Sequence, residues 1–190
     1  MWRDGILVNY FTIIVVTIHY FTTFAAKIIN TMNFVPTSYR ISSVADGRVC
    51  DDCGWMLDFP NAEKPGLIRA VYEKKQLEVR DDLPGLYRFS DWLPIKRILQ
   101  GVSGPVTYKS EHLANRLGLN NLYITFNGWN PVVGATMRTC SFKETEAYTV
   151  CARLGESLRD KVMVVSSAGN TARAFAQVCS DNNIKLLLTV

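Results

Sequence analysis

The sequence has few of the features that mark nucleic-acid-binding proteins. Its 190 residues include 21 Lys and Arg against 17 Asp and Glu, so the formal net charge is only +4. The densest basic clusters, at 73–75 and 96–97, lie beside acidic or apolar residues. Such clusters are typical of a solvated surface and not of a nucleic-acid interface. The sequence also contains no internal repeat and no low-complexity tract.

Cysteine and histidine are scarce as well. The five cysteines are odd in number and include one close pair, Cys50 and Cys53, which does not indicate a secreted disulfide framework. We therefore expect a reducing, cytoplasmic location. The pair lies in a Cys-x-x-Cys-Gly run like half of a zinc ribbon, but structural zinc needs four ligands and no second pair follows. His19 and His112 have no partner at metal-ligand spacing, so we predict no metal site.

Apolar residues make up 48% of the chain, and the amino terminus is rich in them. Residues 5–26 carry no full charge, and this stretch reaches the ~20 residues of a membrane-spanning helix. Three interpretations of a hydrophobic leader at 1–36 remain open: a membrane anchor, a signal peptide, and an upstream extension of the gene model. No Ala-x-Ala cleavage site is evident. We favour the extension, with Met32 as the true start, because the patterned sequence described below begins after it.

Beyond the leader, the sequence predicts an amino-terminal lobe over 37–105 and the start of an α/β domain over 106–190. In the lobe, three aromatic residues between 87 and 92 predict burial against another element. In the second part, apolar periodicity and turn residues predict the order of elements. These are a helix over 110–118, a strand over 122–126, a loop over 127–134, a helix over 144–158, a strand over 162–166, a helix over 171–179 and a strand over 184–190.

The last three of these elements predict a βαβ unit with parallel strands and a right-handed crossover. The continuous apolar run at 162–166 is typical of a strand covered on both faces. We also expect the short sheet to leave an edge and a face exposed, which favours aggregation or dependence on further residues.

Two motifs in this part carry candidate chemistry. Lys143 follows a Cys-Ser-Phe run, and a buried lysine amine can form a Schiff base with an aldehyde. A Ser-Ser-Ala-Gly-Asn-Thr run at 166–171 lies where a strand passes into a helix, and the free N–H groups of a helix start favour anions. The Asn170 side chain can donate to a phenolic oxygen. Either motif alone also fits a surface lysine or a helix cap. Their order and spacing favour one shared site.

The segment from about residue 39 to residue 190 resembles the threonine-synthase-like branch of the fold-type II pyridoxal-phosphate enzymes, and within it the cysteate synthases. The resemblance rests on three groups of motifs. They are Phe-Asn-Gly-Trp at 126–129, Thr-Cys-Ser-Phe-Lys-Glu at 139–144 with Glu-Ala at 146–147, and Ser-Ala-Gly-Asn-Thr at 167–171 with Arg-Ala-Phe-Ala at 173–176. Further support comes from Gly-Ala at 134–135 and from Arg-Phe at 88–89 before Asp-Trp-Leu-Pro at 91–94. It implies the α/β fold of the tryptophan synthase β-like class, present here in truncated form.

The resemblance also implies pyridoxal 5'-phosphate as cofactor. Lys143 would bind it as a Schiff base and then serve as base and acid at the substrate. Asn170 would donate a hydrogen bond to the ring oxygen of the cofactor, and Ser167, Gly169 and Thr171 would hold the substrate carboxylate. In cysteate synthases O-phospho-L-serine loses phosphate and sulfite adds, which yields L-cysteate for coenzyme M biosynthesis.

Departures from the family pattern limit these expectations. Residues 129–133 and Ala172 differ from the usual family sequence, so the resemblance implies no substrate contacts there. The glycine-rich loop that holds the cofactor phosphate in the family does not occur before Val190. We therefore expect an amino-terminal fragment that binds the cofactor weakly or not at all, and a homo-oligomer for the complete enzyme.

Two alternatives remain open. One is a threonine synthase acting on O-phosphohomoserine, with water in place of sulfite. The other is a non-catalytic remnant tethered to a membrane through residues 5–26.

Overall fold

The computed structural model of the protein describes residues 34–155 and 158–190. The three interpretations of the leader fall on residues 1–33 and therefore lie outside the described residues. Val35–Val190 forms one compact unit in which helices and strands are mixed. None of the helices formed by the described residues is both long enough and apolar enough to cross a membrane.

A three-stranded antiparallel sheet begins the described chain, and its strands are β1 (Tyr39–Ser43), β2 (Val49–Cys50) and β3 (Ile68–Tyr72). The strand order is β2-β1-β3. Ile41 in β1 is buried and packs with Met56 and Phe59, which lie between β2 and β3. This apolar cluster holds the segment that follows Cys53 against the sheet.

A 3₁₀ helix, Gly85–Trp92, contains the predicted aromatic cluster. Tyr87 is fully buried, whereas Phe89 and Trp92 are 43% and 44% exposed. The expected burial is therefore confirmed for Tyr87 and wrong for the other two rings. A 3₁₀ helix repeats every three residues, so Tyr87 and Ser90 face the interior while Phe89 and Trp92 face outward.

A strand–helix–strand unit follows, and its strands pair antiparallel. Its elements are β4 (Val106–Lys109), α1 (Glu111–Leu117) and β5 (Tyr123–Phe126). The predicted helix and second strand are confirmed with slightly shorter bounds. Gly118 ends α1 at φ 67°, a left-handed conformation that favours glycine. Ser110 occupies the N-cap position, but its side chain makes no capping hydrogen bond.

The segment predicted as a loop at 127–134 begins a small hairpin. Its parts are β6 (Trp129–Asn130), a 3₁₀ turn (Pro131–Val133) and β7 (Ala135–Thr136). The strands pair antiparallel, and Gly134 at φ 78° lets the chain reverse between them. A strand of two residues is too short to show the alternation that predicts strands from sequence.

Helix α2 (Lys143–Arg153) begins one residue before the predicted start and ends five residues before the predicted end. Leu154 has extended dihedral angles (φ −62°, ψ 127°), and Gly155, a poor helix former, follows it. Val150 in this helix is 38% exposed. The residues that are buried are Glu144, Ala147, Tyr148, Cys151 and Ala152.

The last three elements form the predicted βαβ unit. They are β8 (Met163–Ser166), α3 (Asn170–Asp181) and β9 (Leu186–Thr189), and the two strands are parallel. The expectation that β8 is covered on both faces is wrong, since Val164 is 61% exposed and its β9 partner Leu187 is 52% exposed. Helix α3 packs on one face of the strand pair, and the described chain leaves the other face open.

Candidate functional site

A buried carboxylate organises the main chain just before Lys143. Glu144 is fully buried and accepts hydrogen bonds from the Thr139 N–H at 2.7 Å and the Thr139 hydroxyl at 2.8 Å. The Ser103 hydroxyl donates to its other oxygen at 2.6 Å. Cys140, which follows Thr139 in the chain, adopts φ 52°, an uncommon conformation for a residue other than glycine. The three donors satisfy the carboxylate and hold this bend, which leads directly into α2.

Lys143 is the first residue of α2, and its side chain is 32% exposed. Its Nζ lies 2.5 Å from Glu146 Oε2 and 5.2 Å from the centre of the Phe142 ring. The Lys143 main-chain N–H donates to Ser141 Oγ at 3.3 Å. The amine is therefore accessible to a small molecule. Because an ammonium ion has no free electron pair, Lys143 must leave the ion pair with Glu146 and lose a proton before it reacts as a nucleophile.

The Gly-Asn-Thr turn joins β8 to α3. The Ser167 N–H donates to the Thr189 carbonyl at 2.9 Å, which extends the pairing with β9. Ser167 Oγ then accepts the Gly169 N–H at 3.2 Å. Gly169 is the N-cap of α3, and no side chain caps the helix. A Cβ at Gly169 would meet no atom within 4 Å, so the space in front of the first turn is open. The helix has twelve residues, and the free N–H groups of its first turn favour an anion.

The candidate residues Lys143 and Asn170 begin two helices that pack against each other. The buried thiols of Cys151 and Cys179 lie 3.9 Å apart between these helices. The hydrogen bond with Cys179 and burial raise the pKa of the Cys151 thiol above its ordinary value. Among the described residues, no hydrogen bond or ion pair joins Lys143 to the 167–171 turn. Their convergence on one ligand stays a prediction.

Glu144 is the residue that sequence reasoning missed. An acidic side chain beside a lysine on a predicted helix is expected to be exposed, because a fully buried carboxylate is rare unless it is paired. The available signal was its place in the Thr-Cys-Ser-Phe-Lys-Glu run, five residues after the threonine that donates to it.

The Cys-x-x-Cys run has no further ligand nearby in the described part of the chain. Cys50 is half-buried, Cys53 is exposed, and both are free thiols. Over residues 34–155 and 158–190, no three His, Cys, Asp or Glu side chains are grouped so that they could hold a metal ion. His112 lies exposed on α1, and His19 falls outside the described residues.

Comparison with known proteins relates the chain to one group of enzymes. It is 48% identical over 145 residues to the cysteate synthase of Methanococcoides burtonii, a match that covers 74% of this chain and 34% of the relative. It is 43% identical over 152 residues to the cysteate synthase of Methanocorpusculum labreanum, covering 80% and 36%. The match to the cysteate synthase of Methanosarcina acetivorans is 53% identical over 111 residues, covering 58% and 26%.

No family model matches the chain, and no solved structure matches it. The chain spans about a third of the length of the first two curated relatives. Identities of 43% and 48% over about 150 residues nevertheless extend across most of the chain. On this evidence most of the chain is closely similar to part of the cysteate synthases.

Proposed function

We propose that this chain is part of a pyridoxal-phosphate-dependent cysteate synthase of fold type II. The enzyme would convert O-phospho-L-serine and sulfite to L-cysteate and phosphate, as a step of coenzyme M biosynthesis. The observation that carries the proposal is the start of α2, where an accessible lysine follows a bend held by a buried carboxylate. This arrangement occurs in a segment closely related to enzymes named cysteate synthase.

The residues present fit the cofactor in three respects. The Lys143 amine is reachable from solvent and can hold an aldehyde covalently. The first turn of α3 offers uncapped N–H groups to a carboxylate or phosphate. In front of Gly169 the space is open, so a ligand can approach the main chain closely. We assign Lys143 and Asn170 to the cofactor, and Ser167, Gly169 and Thr171 to the substrate carboxylate.

When bound, pyridoxal phosphate supplies an electron sink for bond breaking at the amino-acid substrate. Lys143 would take the proton from the substrate Cα and later return a proton to the same atom. In the overall exchange the Cβ–O bond to phosphate breaks and a Cβ–S bond to sulfite forms. The helix start of α3 would hold the substrate carboxylate, so that the Cα–H bond keeps a constant direction relative to Lys143.

Glu146 sets the resting state of Lys143 in this proposal. Its carboxylate pairs with the ammonium ion at 2.5 Å on a partly exposed surface. Exposed ion pairs of this kind stabilise a protein by about 1 kcal/mol or less, so the pair can open at little cost when a ligand binds.

We also propose a cytoplasmic location and a homo-oligomeric complete enzyme with small-molecule substrates. The five free cysteines support the location, because a reducing compartment keeps thiols unpaired. The relatives reported above are all named cysteate synthase, so they do not favour the threonine synthase or remnant alternatives.

The assignment of Lys143 is tested by trapping. The purified chain is mixed with pyridoxal phosphate, reduced with borohydride and digested, and the modified lysine is located by mass spectrometry. Irreversible trapping detects even a weakly bound cofactor. We expect modification at Lys143 that Lys143→Ala abolishes and that the control Lys64→Ala, at an exposed site in the lobe, leaves unchanged. Equal modification of all surface lysines would refute the assignment.

Substrate choice is tested separately. The chain, joined to the remaining sequence of a relative, is assayed for phosphate release from O-phosphoserine with sulfite and from O-phosphohomoserine. We expect release only from the first pair, with L-cysteate as product. Threonine formation from O-phosphohomoserine would support the threonine synthase alternative instead.

A further inference from the structure

Two buried thiols face each other between α2 and α3, at a distance from both helix starts. Cys151 lies in the last turns of α2, Cys179 lies in the last turn of α3, and both side chains are buried. Their Sγ atoms are 3.9 Å apart, and the contact joins residues 28 positions apart in the chain. Both cysteines are free thiols. The other three cysteines, Cys50, Cys53 and Cys140, are half-buried or exposed.

The two sulfur atoms differ in reactivity although they touch. The Cys151 thiol donates a hydrogen bond to the Cys179 sulfur, which lowers the pKa of Cys179 against the opposing effect of burial. The same hydrogen bond, together with burial, raises the pKa of Cys151. Because the thiolate is the nucleophile in sulfur chemistry, Cys179 is the sulfur that reacts first. A disulfide bond is about 2.0 Å long, so a change of rotamer or a small helix shift brings the two atoms together.

We propose that Cys151 and Cys179 form a reversible disulfide in response to hydrogen peroxide and that this bond fixes α2 against α3. The Cys179 sulfur attacks one oxygen of the peroxide, the O–O bond breaks, and Cys179 becomes a sulfenic acid as water leaves. The Cys151 sulfur then displaces the sulfenic hydroxyl group, which leaves as a second water. The two thiols lose two electrons and two protons, and the peroxide gains them. Two molecules of a small thiol later reduce the bond and become a disulfide themselves.

The position of Cys179 explains how an oxidant reaches a buried sulfur. Cys179 lies two residues before the end of α3 at Asp181, and the next residue, Ser180, is exposed. The ends of helices open locally at a lower free-energy cost than the protein core. Hydrogen peroxide is little larger than a water molecule, so opening of the last turn of α3 is enough to admit it.

The disulfide is expected to change the candidate site from a distance. The end of α2 is already held, because Arg153 donates two hydrogen bonds to Asp52. The approach of the two sulfur atoms therefore displaces α3 more than α2. Since α3 begins at Asn170, directly after the turn that contains Gly169, the displacement moves this turn relative to Lys143. The expected effect on Lys143 rests on the proposed function, whereas the disulfide itself does not.

Mass spectrometry of the full chain tests the disulfide. The chain is treated with hydrogen peroxide, its remaining thiols are alkylated, and it is digested without a reductant. We expect a peptide with Cys151 joined to a peptide with Cys179, and loss of this species after dithiothreitol. Cys151→Ala should abolish it, whereas Cys53→Ser, at an exposed site, should leave it unchanged. Recovery of the two cysteines only as separate thiols or separate oxidised acids would overturn the proposal.

Two further measurements on the parent chain test what the disulfide does. The thermal unfolding midpoint should rise by roughly 5 °C on oxidation, because a cross-link restricts the unfolded chain. The yield of pyridoxal phosphate trapped at Lys143 should fall about twofold or more and recover after dithiothreitol. In Cys151→Ala peroxide should change neither quantity, and Cys53→Ser should behave as the parent chain does.

The outcomes separate this proposal from the proposed function. A mapped disulfide that leaves both the midpoint and the trapping yield unchanged would overturn the claim that it fixes the two helices. If the reduced chain shows no trapping at Lys143, the proposed function fails, and the mapped disulfide and the unfolding midpoint still decide the present proposal. If trapping at Lys143 occurs but no disulfide forms, only the present proposal fails.

Discussion

Arg153 donates two hydrogen bonds to the carboxylate of Asp52, from Nε to Oδ2 at 2.8 Å and from Nη2 to Oδ1 at 2.7 Å. The pair joins residues 101 positions apart and ties the segment after β2 to the last turn of α2. Asp52 also accepts the Tyr39 hydroxyl at 2.5 Å and the Gly54 N–H at 2.9 Å. The Asp52 side chain is 2% exposed and that of Arg153 is 19% exposed. This connection anchors the end of α2 remote from Lys143.

Removal of the Asp52 charge should destabilise the protein. Asp52→Asn leaves Arg153 largely buried without its partner, and we expect a loss of about 3 kcal/mol in the free energy of unfolding. The matched control is Asp51→Asn, because the ion pair of Asp51 with Arg40 is exposed on both sides. That change should be within about 0.5 kcal/mol of zero. Urea unfolding measures both values, and equal losses would contradict a special role for Asp52.

The contribution of Asp52 should depend on pH. Burial alone would raise the pKa of Asp52, but hydrogen bonds from Arg153, Tyr39 and Gly54 outweigh it and lower the pKa from 3.8 to about 2. A lowered folded-state pKa stabilises the protein above the unfolded-state pKa, and this stability is lost as pH falls through the folded-state value. The difference in unfolding free energy between wild type and Asp52→Asn should therefore be constant near neutral pH and shrink below about pH 4. Urea titrations across this range measure the difference in unfolding free energy. A difference that grows on acidification would contradict the predicted pH dependence.

Glu144 should be intolerant of an amide. In Glu144→Gln one carboxylate oxygen becomes an NH₂ group, which cannot accept the hydrogen bonds that Thr139 or Ser103 now donates. We expect a loss of about 1 to 3 kcal/mol in unfolding free energy, together with weaker trapping of an aldehyde at Lys143. Glu63→Gln, at an exposed position in the lobe, is the control and should change neither quantity. Normal stability of Glu144→Gln would show that the loop before α2 does not need the carboxylate.

Gly85 should resist substitution more than other glycines at positive φ. It has φ 53°, and a Cβ there would lie 2.7 Å from the main-chain carbon and oxygen of Ser103. Gly118 has φ 67° but would meet no atom within 4 Å. Gly118→Ala should therefore cost only the left-handed strain of about 1 kcal/mol, whereas Gly85→Ala adds a clash with main chain that cannot move freely. Thermal unfolding of both variants should give a clearly lower midpoint for Gly85→Ala, and similar midpoints would show that Ser103 shifts easily.

The elements that were predictable are those whose pattern is complete within a few residues. Helix α1, strand β5 and the β8–α3–β9 unit appear where apolar spacing and glycine turns place them. The β6–β7 hairpin was missed because two-residue strands carry no period. Helix α2 was predicted too long, because the sequence pattern of a helix continues past Leu154, where the chain becomes extended.

The candidate site was predictable only in part. Motifs located Lys143 and the 167–171 turn in sequence, and the structure has a helix beginning at Lys143 and at Asn170. The carboxylate of Glu144 and the Asp52–Arg153 pair were not predictable. Their burial comes from donors and neighbours contributed by other segments, one of them 101 residues away.

The similarity to cysteate synthases and the order of the elements in the second half of the chain follow from the amino-acid sequence, because motifs, turn residues and apolar periods act over short distances. The contacts between distant segments settle the rest: which acidic side chains are buried, where α2 is anchored, and which face and edge of β8 stay open. Burial depends on what packs against a residue, and local sequence does not specify its neighbours in space.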